Sequence, residues 1–301
     1  MTDERRTVLV TGGAGFIGSH AARAFLDRGY AVTVLDSLVS GARENVPAGA
    51  TFVQGDIRDE DALARACRGA YGVVHLAALV SVPESVQHPE ETLDVNVRGT
   101  SLVFEAALRA GCKRVVYASS AAVYGDEPSL PKREDSPLRP QSPYAESKVE
   151  NERLAERLAA RGLSSLGLRF FNVYGPGQRA DHAYASVIPQ FVARAKRGEA
   201  LSVSGDGAQT RDFVHVRDVA DALVRALESS TTGVCNIASG TETSVAALAA
   251  LIQERYPVAV EHGPARAGDI LHSVADIEHA KELLAWTPRT AFSDGLAELL
   301  A

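Results

Sequence analysis

Thr7-Val8-Leu9-Val10-Thr11-Gly12-Gly13-Ala14-Gly15-Phe16-Ile17-Gly18 is the stretch that decides the fold. A short β-rich apolar run passes into glycines at a spacing of three and then into a helical pattern. The three glycines differ in what they do. Gly12 makes a tight turn, Gly15 lets the backbone approach a pyrophosphate, and Gly18 lets the helix pack closely on the strand. The free amides and the dipole of the helix N-terminus then face the phosphates, with Phe16 and Ile17 at the first turn. Gly-x-x-Gly-x-x-Gly is one residue longer than the commonest dinucleotide fingerprint, and a lone glycine triplet is often a plain turn. Context strengthens it here. Asp36 ends the second apolar run, 18 residues beyond Gly18, where a carboxylate accepts hydrogen bonds from the adenosine ribose. It also repels a 2′-phosphate, so the expected dinucleotide is NAD rather than NADP. Asp56, in Gly55-Asp56-Ile57 after the third run, is placed to meet the adenine.

Outward from this unit, strand-like runs alternate with helical patterns. Thr7–Thr11, Ala31–Asp36, Thr51–Gly55, Gly72–Leu76, Arg114–Ser119 and Leu163–Phe170 are short and apolar, as strands buried on both faces are. Gly18–Arg28, Asp59–Cys67, Pro89–Ala110 and Pro143–Arg161 read as helices between them. The alternation predicts an α/β chain: a Rossmann-like doubly wound parallel sheet with a smaller α/β substrate-binding domain. The first is expected over residues 1–170 plus about 208–238, and the second over 171–207 and 239–301. In the second half Val187–Arg197 and Val216–Leu227 read as helices and Asp212–Val216 as a strand.

The 301 residues are 46% apolar and 23% charged, with a formal net charge of −7 and no run of like charges. That balance argues against a nucleic-acid binder, which carries a basic stripe. An acidic protein that binds an anionic substrate must supply arginines locally. The polar residues Met1 to Arg6 lead into too short an apolar run for a signal peptide, and no stretch approaches the ~18 apolar residues of a membrane span. Cys67, Cys112 and Cys235 are far apart and odd in number, which suits reduced thiols in a cytoplasmic protein better than disulfides or metal ligands.

Tyr144-Ala145-Glu146-Ser147-Lys148 falls near the start of a helix, so Tyr144 and Lys148 share a face. Moving a tyrosine from its usual ~10 to near 7 takes roughly 4 kcal/mol. An adjacent ammonium and the positive nicotinamide ring are candidates to supply it. Alone, Tyr-x-x-x-Lys is common surface decoration. Ser119 and Ser120 end the fifth strand at the edge where ligands sit in parallel sheets, so a serine hydroxyl there relays a substrate proton to the tyrosine.

These residues, with His75-Leu76-Ala77-Ala78, Asn96-Val97-Arg98-Gly99-Thr100, Arg169-Phe170-Phe171-Asn172-Val173-Tyr174-Gly175-Pro176 and Thr210-Arg211-Asp212-Phe213, resemble the extended short-chain dehydrogenase/reductases, in their NAD-dependent sugar epimerase/dehydratase group. The resemblance runs from Val8 to about Pro288. It implies Tyr144 as base, Lys148 on the nicotinamide ribose and Ser120 on the sugar hydroxyl. It places Leu76, Ala77, Ala78, Asn96 and Ser119 around NAD, with Ile57 beside the adenine. Asn172, Arg211 and Arg266 would meet the nucleotide diphosphate, Val187 and Ile188 the uridine, and Asp269 and Ser273 the rest of the substrate pocket. A homodimer joined through the helices of Pro89–Ala110 and Tyr144–Arg161 is implied as well. Against the family, the chain is somewhat short after Trp286-Thr287-Pro288, as though a last helix were missing.

Family members first form a keto-sugar; its fate depends on the residues beside the serine. Dehydratases of the family resemble one another in Thr-Asp-Glu there. Ala121 and Ala122 follow Ser120 here and cannot transfer a proton. The expected outcome is inversion at C4 of UDP-glucose or UDP-galactose with NAD regenerated. Ser273 is small and would leave room for a 2-acetamido group, hence UDP-GlcNAc. Arg179 gives a competing hint, since an arginine there could pair with the carboxylate of UDP-glucuronate. Another fate of the keto-sugar and a non-catalytic NAD-binding protein complete the alternatives.

Overall fold

The computed structural model describes residues 5–180, 186–265 and 270–301. In chain order its first half runs β1 (Thr7–Thr11), α1 (Phe16–Asp27), β2 (Ala31–Asp36), β3 (Thr51–Gln54), α2 (Glu60–Ala66), β4 (Ala70–His75), α3 (Val82–Gln87), α4 (Pro89–Leu93), α5 (Gly99–Arg109), β5 (Arg114–Ser120) and α6 (Pro143–Ala159). The second half runs β6 (Ser165–Phe170), β7 (Asn172–Tyr174), α7 (Val187–Lys196), β8 (Leu201–Ser204), β9 (Thr210–His215), α8 (Val216–Glu228) and β10 (Gly233–Ile237). It ends with β11 (Glu242–Ser244), α9 (Val245–Arg255), β12 (Val260–Gly263), α10 (Glu278–Leu284) and α11 (Phe292–Leu300).

Seven strands form one parallel sheet in the order β10-β6-β5-β4-β1-β2-β3. Side chains alternate across it. Val8 and Val10 join Phe25 of α1 and Leu223 of α8 on one face, while Leu9 joins Leu63 of α2 and Phe104 of α5 on the other. The chain leaves β1 toward β2 and later returns to β4 on β1's other side. That reversal opens a crevice beyond the strand ends, where open α/β sheets bind ligands.

A second core gathers Tyr174, Ile188, Phe191, Leu201, Phe213, Leu248 and Leu296 over that end of the sheet. Its strands form two small sheets, β11-β9-β7 and β12-β8. Helix α11 follows Trp286 and closes this core. Phe292 stacks on Phe213 with ring centroids 5.3 Å apart, and the Tyr256 hydroxyl donates to Leu300 O at 3.1 Å.

One expectation changes. Pro89–Ala110 is not one uninterrupted α-helix: a π-helical turn over Asp94–Arg98 separates α4 from α5. The Thr100 hydroxyl donates to Asn96 O at 2.5 Å, and the bulge turns the Asn96 side chain inward. The cysteines are all free, as reduced thiols are, and Cys67 and Cys112, distant in sequence, come together where α2 ends beside the turn after α5. Among the described residues no helix is long and apolar enough to cross a membrane.

Candidate active site

A cavity of about 810 Å³ lies between the sheet's C-terminal edge and the second core. Its dinucleotide end is built as the glycines require. Gly12 has φ +69°, and a Cβ there would lie 2.7 Å from Ala77 N; a Cβ on Gly18 would lie 2.0 Å from Gly12 O. Helix α1 starts after Gly15 with no side chain capping its amides, so those amides remain for a ligand. Gly12, Gly15, Phe16, Ile17 and Gly18 line one wall, and Leu76, Ala77 and Ala78 the facing one. Asp36 borders the same space; its carboxylate accepts Ala14 N at 2.9 Å and Leu38 N at 2.8 Å, fixing its orientation. A cradle that any Cβ would fill, with a fixed carboxylate at its end, fits a dinucleotide.

Asp56 and Ile57, expected at the adenine, line the cavity, but Asp56 is occupied. Arg58 grips its carboxylate at 2.7 Å and reaches Asp94 at 2.7 Å, which holds the Asp56 carboxyl below its usual range. Asn96 is wholly buried and does not border the cavity. It clasps the Leu79 backbone through both N and O at 2.8 Å each, shaping the loop that does.

At the centre, Ser119 and Ser120 end β5 opposite Tyr144 and Lys148 at the start of α6, whose first turn is capped by the Ser142 hydroxyl on Ala145 N at 3.2 Å. The Ser120 hydroxyl is hydrogen-bonded to Tyr144. Lys148 Nζ donates to Ala118 O at 3.0 Å and stands 5.6 Å from the Tyr144 ring centroid. Burial lowers Lys148 to about 8. It pushes the Tyr144 phenol above its usual value, and the Ser120 hydrogen bond only partly offsets this. Lys148 is not among the groups that shift this phenol; its ammonium is directed at the Ala118 carbonyl. Ala121 and Ala122 line the cavity next to Ser120.

The far end is lined by Asn172 at the start of β7, Val187 and Ile188 at the start of α7, and Arg211 and Ser273. Arg211 is held by Thr210 O and Ile270 O, each at 2.7 Å. Arg179 is exposed and outside the lining, and Arg266 and Asp269 lie outside the described residues. Sequence reasoning missed Arg58, Gln178, Ser202 and Ser204, all in the lining. The serines carry a legible signal, since they alternate with buried Leu201 and Val203 along β8.

Fold and centre together define an extended short-chain dehydrogenase/reductase: a doubly wound dinucleotide-binding sheet with a serine, tyrosine and lysine at the cleft. Residues 8–238 match the model of the NAD dependent epimerase/dehydratase family, and the chain belongs to that family. A UDP-glucose 4-epimerase of Streptomyces lividans is 38% identical, over 94% of this chain and 92% of the relative. Two solved structures are each 36% identical, covering 98% of this chain and 97% of theirs. One is a UDP-N-acetylglucosamine 4-epimerase from Methanobrevibacter ruminantium M1 in complex with UDP-N-acetylmuramic acid, with a TM-score of 0.95. The other is a UDP-glucose 4-epimerase from Thermotoga maritima with UDP-glucose, with a TM-score of 0.94.

Proposed function

We infer that the protein is an NAD-dependent 4-epimerase of UDP-glucose and UDP-galactose. The observation that carries the reading is the cavity wall at the end of β5, where Ser120, Tyr144 and Lys148 meet and Ala121 and Ala122 follow. The centre can move one proton on and off a sugar hydroxyl, and the alanines offer no second acid or base to expel water. Tyr144 takes the C4 hydroxyl proton, Ser120 orients that hydroxyl, and Lys148 would hold the nicotinamide ribose. The bound dinucleotide supplies a two-electron oxidant that is restored within each cycle. Gly12, Gly15, Gly18 and Asp36 would hold it, in the seven-stranded unit. Asn172, Arg211 and, by resemblance, Arg266 would bind the diphosphate across the cleft. Turnover of the keto-sugar between its two faces then lets C4 take back, on the opposite side, the hydrogen it gave up as hydride, while Tyr144 returns the proton to the oxygen.

Ser273 bounds the sugar end with a small side chain, which supports extending the substrates to UDP-GlcNAc. Incubation with UDP-glucose and UDP-GlcNAc separately tests this, and conversion of the first but not the second removes the extension. Arg179, exposed and off the lining, lends the UDP-glucuronate reading no support.

The reading includes a cytoplasmic homodimer. Leu93, Val97, Leu102 and Leu154 line an apolar groove between the α4–α5 segment and α6, where two such helix pairs would pack into a four-helix bundle.

A further inference from the structure

Tyr144, Lys148 and Glu152, each four residues apart on α6, meet the end of β5. Ser120 is hydrogen-bonded to Tyr144, Ala118 O accepts Lys148 Nζ at 3.0 Å, and the Ser119 hydroxyl donates to Glu152 Oε1 at 2.5 Å. Three consecutive strand residues thus each hold one rung of the helix. The third rung differs from the others because Glu152 does not border the cavity and is only 6% exposed.

The Glu152 carboxylate is fully engaged. Besides Ser119 it accepts Arg169 Nε at 2.9 Å and Nη2 at 2.7 Å. Arg169, in β6 and 3% exposed, is held at its other end by the Tyr124 hydroxyl and Glu134 O, each at 2.9 Å. Tyr124 in turn donates to Asn236 Oδ1 in β10 at 2.6 Å. A chain of directional bonds therefore runs from α6 through β5 and β6 to β10, directly behind the tyrosine and lysine. Stability alone does not account for it, since apolar side chains of similar volume commonly do as well as a buried ion pair. Apolar side chains would neither fix the helix-to-strand register nor set a carboxylate beside the lysine.

We propose that Glu152 and Arg169 are a positioning pair for the reaction, locking α6 against β5 so that Tyr144 and Lys148 stay aimed at the sugar hydroxyl, with Glu152 as the anionic neighbour of Lys148. This rests on the reading of Tyr144 and Lys148 given above. The groups facing Lys148 are Tyr144 and Glu152 from its own helix, the Ser119 and Ser120 hydroxyls from β5, His75 from β4 and, behind Glu152, Arg169 from β6. Burial and the nearby Lys148 lower His75 to about 3, so it is neutral. Glu152 opposes the lowering of Lys148 by burial. E152Q withdraws that carboxylate and leaves Arg169 an unpaired cation, so Lys148 loses its proton at lower pH.

The test is kcat and KM for UDP-glucose across pH, with NAD added, for the full chain as wild type, E152Q, the double variant E152Q/R169M, and Y144F. E152Q lowers kcat about tenfold at little cost in KM, and its alkaline loss of activity begins about 1 pH unit earlier. The double variant buries no unpaired cation; its alkaline limb lies between the other two, and its kcat stays low. A wild-type pH profile in E152Q, or in the double variant should E152Q fail to fold, overturns the proposal. So does an activity loss that only follows the unfolded fraction. Undiminished turnover in Y144F removes the underlying reading, whereas an inactive Y144F beside an unshifted E152Q removes this proposal alone.

Discussion

In the proposed mechanism Tyr144 is the residue on which the chemistry turns. It is buried, bonded to Ser120 and four residues before Lys148, and no other phenol borders the reacting end beside that serine in the described cavity. Tyr144→Phe keeps the packing and removes the proton acceptor. Turnover should fall roughly 10²–10⁴-fold, the span of a general base, with dinucleotide binding retained. Steady-state kinetics beside calorimetric titration with NAD separate the two effects. Gly18 makes the converse case. A Cβ there would meet Gly12 O at 2.0 Å, so Gly18→Ala should spoil the phosphate turn while leaving the serine, tyrosine and lysine in place. The same titration should record weakened NAD binding, and wild-type affinity would contradict the assigned cradle. The tyrosine, lysine and serines were legible in the sequence because spacing on one helix and one strand end brings them together. Glu152 and Arg169 were not, since a charge inside an apolar strand such as Ser165–Phe170 does not announce its partner seventeen residues away.

At the scale of elements, β4 ends in a histidine that burial keeps neutral near pH 7. His75 bridges Thr11 at 2.7 Å and Thr100 at 2.9 Å beneath the dinucleotide turn, and its folded pKa lies far below the usual value, at about 3. The unfolded chain therefore takes up a proton below about 6.5 that the folded chain refuses. This contribution is fully present above that pH and is lost as pH falls, by up to about 1.4 kcal/mol per pH unit. Urea midpoints should decline from pH 7 to pH 5 more steeply in wild type than in His75→Asn, and equal slopes would contradict this account. The first five strands were legible to within two residues because β-rich apolar runs of that length, separated by helical periods, have few other readings. The π-turn at Asp94–Arg98 was not, because one extra residue per turn leaves the apolar pattern of Pro89–Ala110 almost unchanged.

For the whole molecule, two cores meet at a cleft, and the dinucleotide and sugar halves of the proposed site face each other across it. The first core was readable from alternation alone. The second was not, since its strands are three to six residues long and pair out of sequence order, β11-β9-β7 and β12-β8. Trp286 Nε1 donates to Asp218 O at 3.0 Å, tying the segment before α11 back onto α8; no local pattern in the last residues foretold that helix. The groove lined by Leu93, Leu102 and Leu154 belongs to this scale too. Sedimentation should return twice the chain mass, and Leu154→Glu should return the mass of one chain. A wild-type mass of one chain would contradict the homodimer.

The central claim is that a hydrogen leaves C4 of the sugar and returns to the same carbon on the other face. Incubating the protein and NAD with UDP-glucose deuterated at C4 tests it most directly, with products read by mass and proton NMR. The account predicts UDP-galactose of unchanged mass with deuterium still at C4. Deuterium replaced from solvent, a product lighter by water, or no conversion would contradict it.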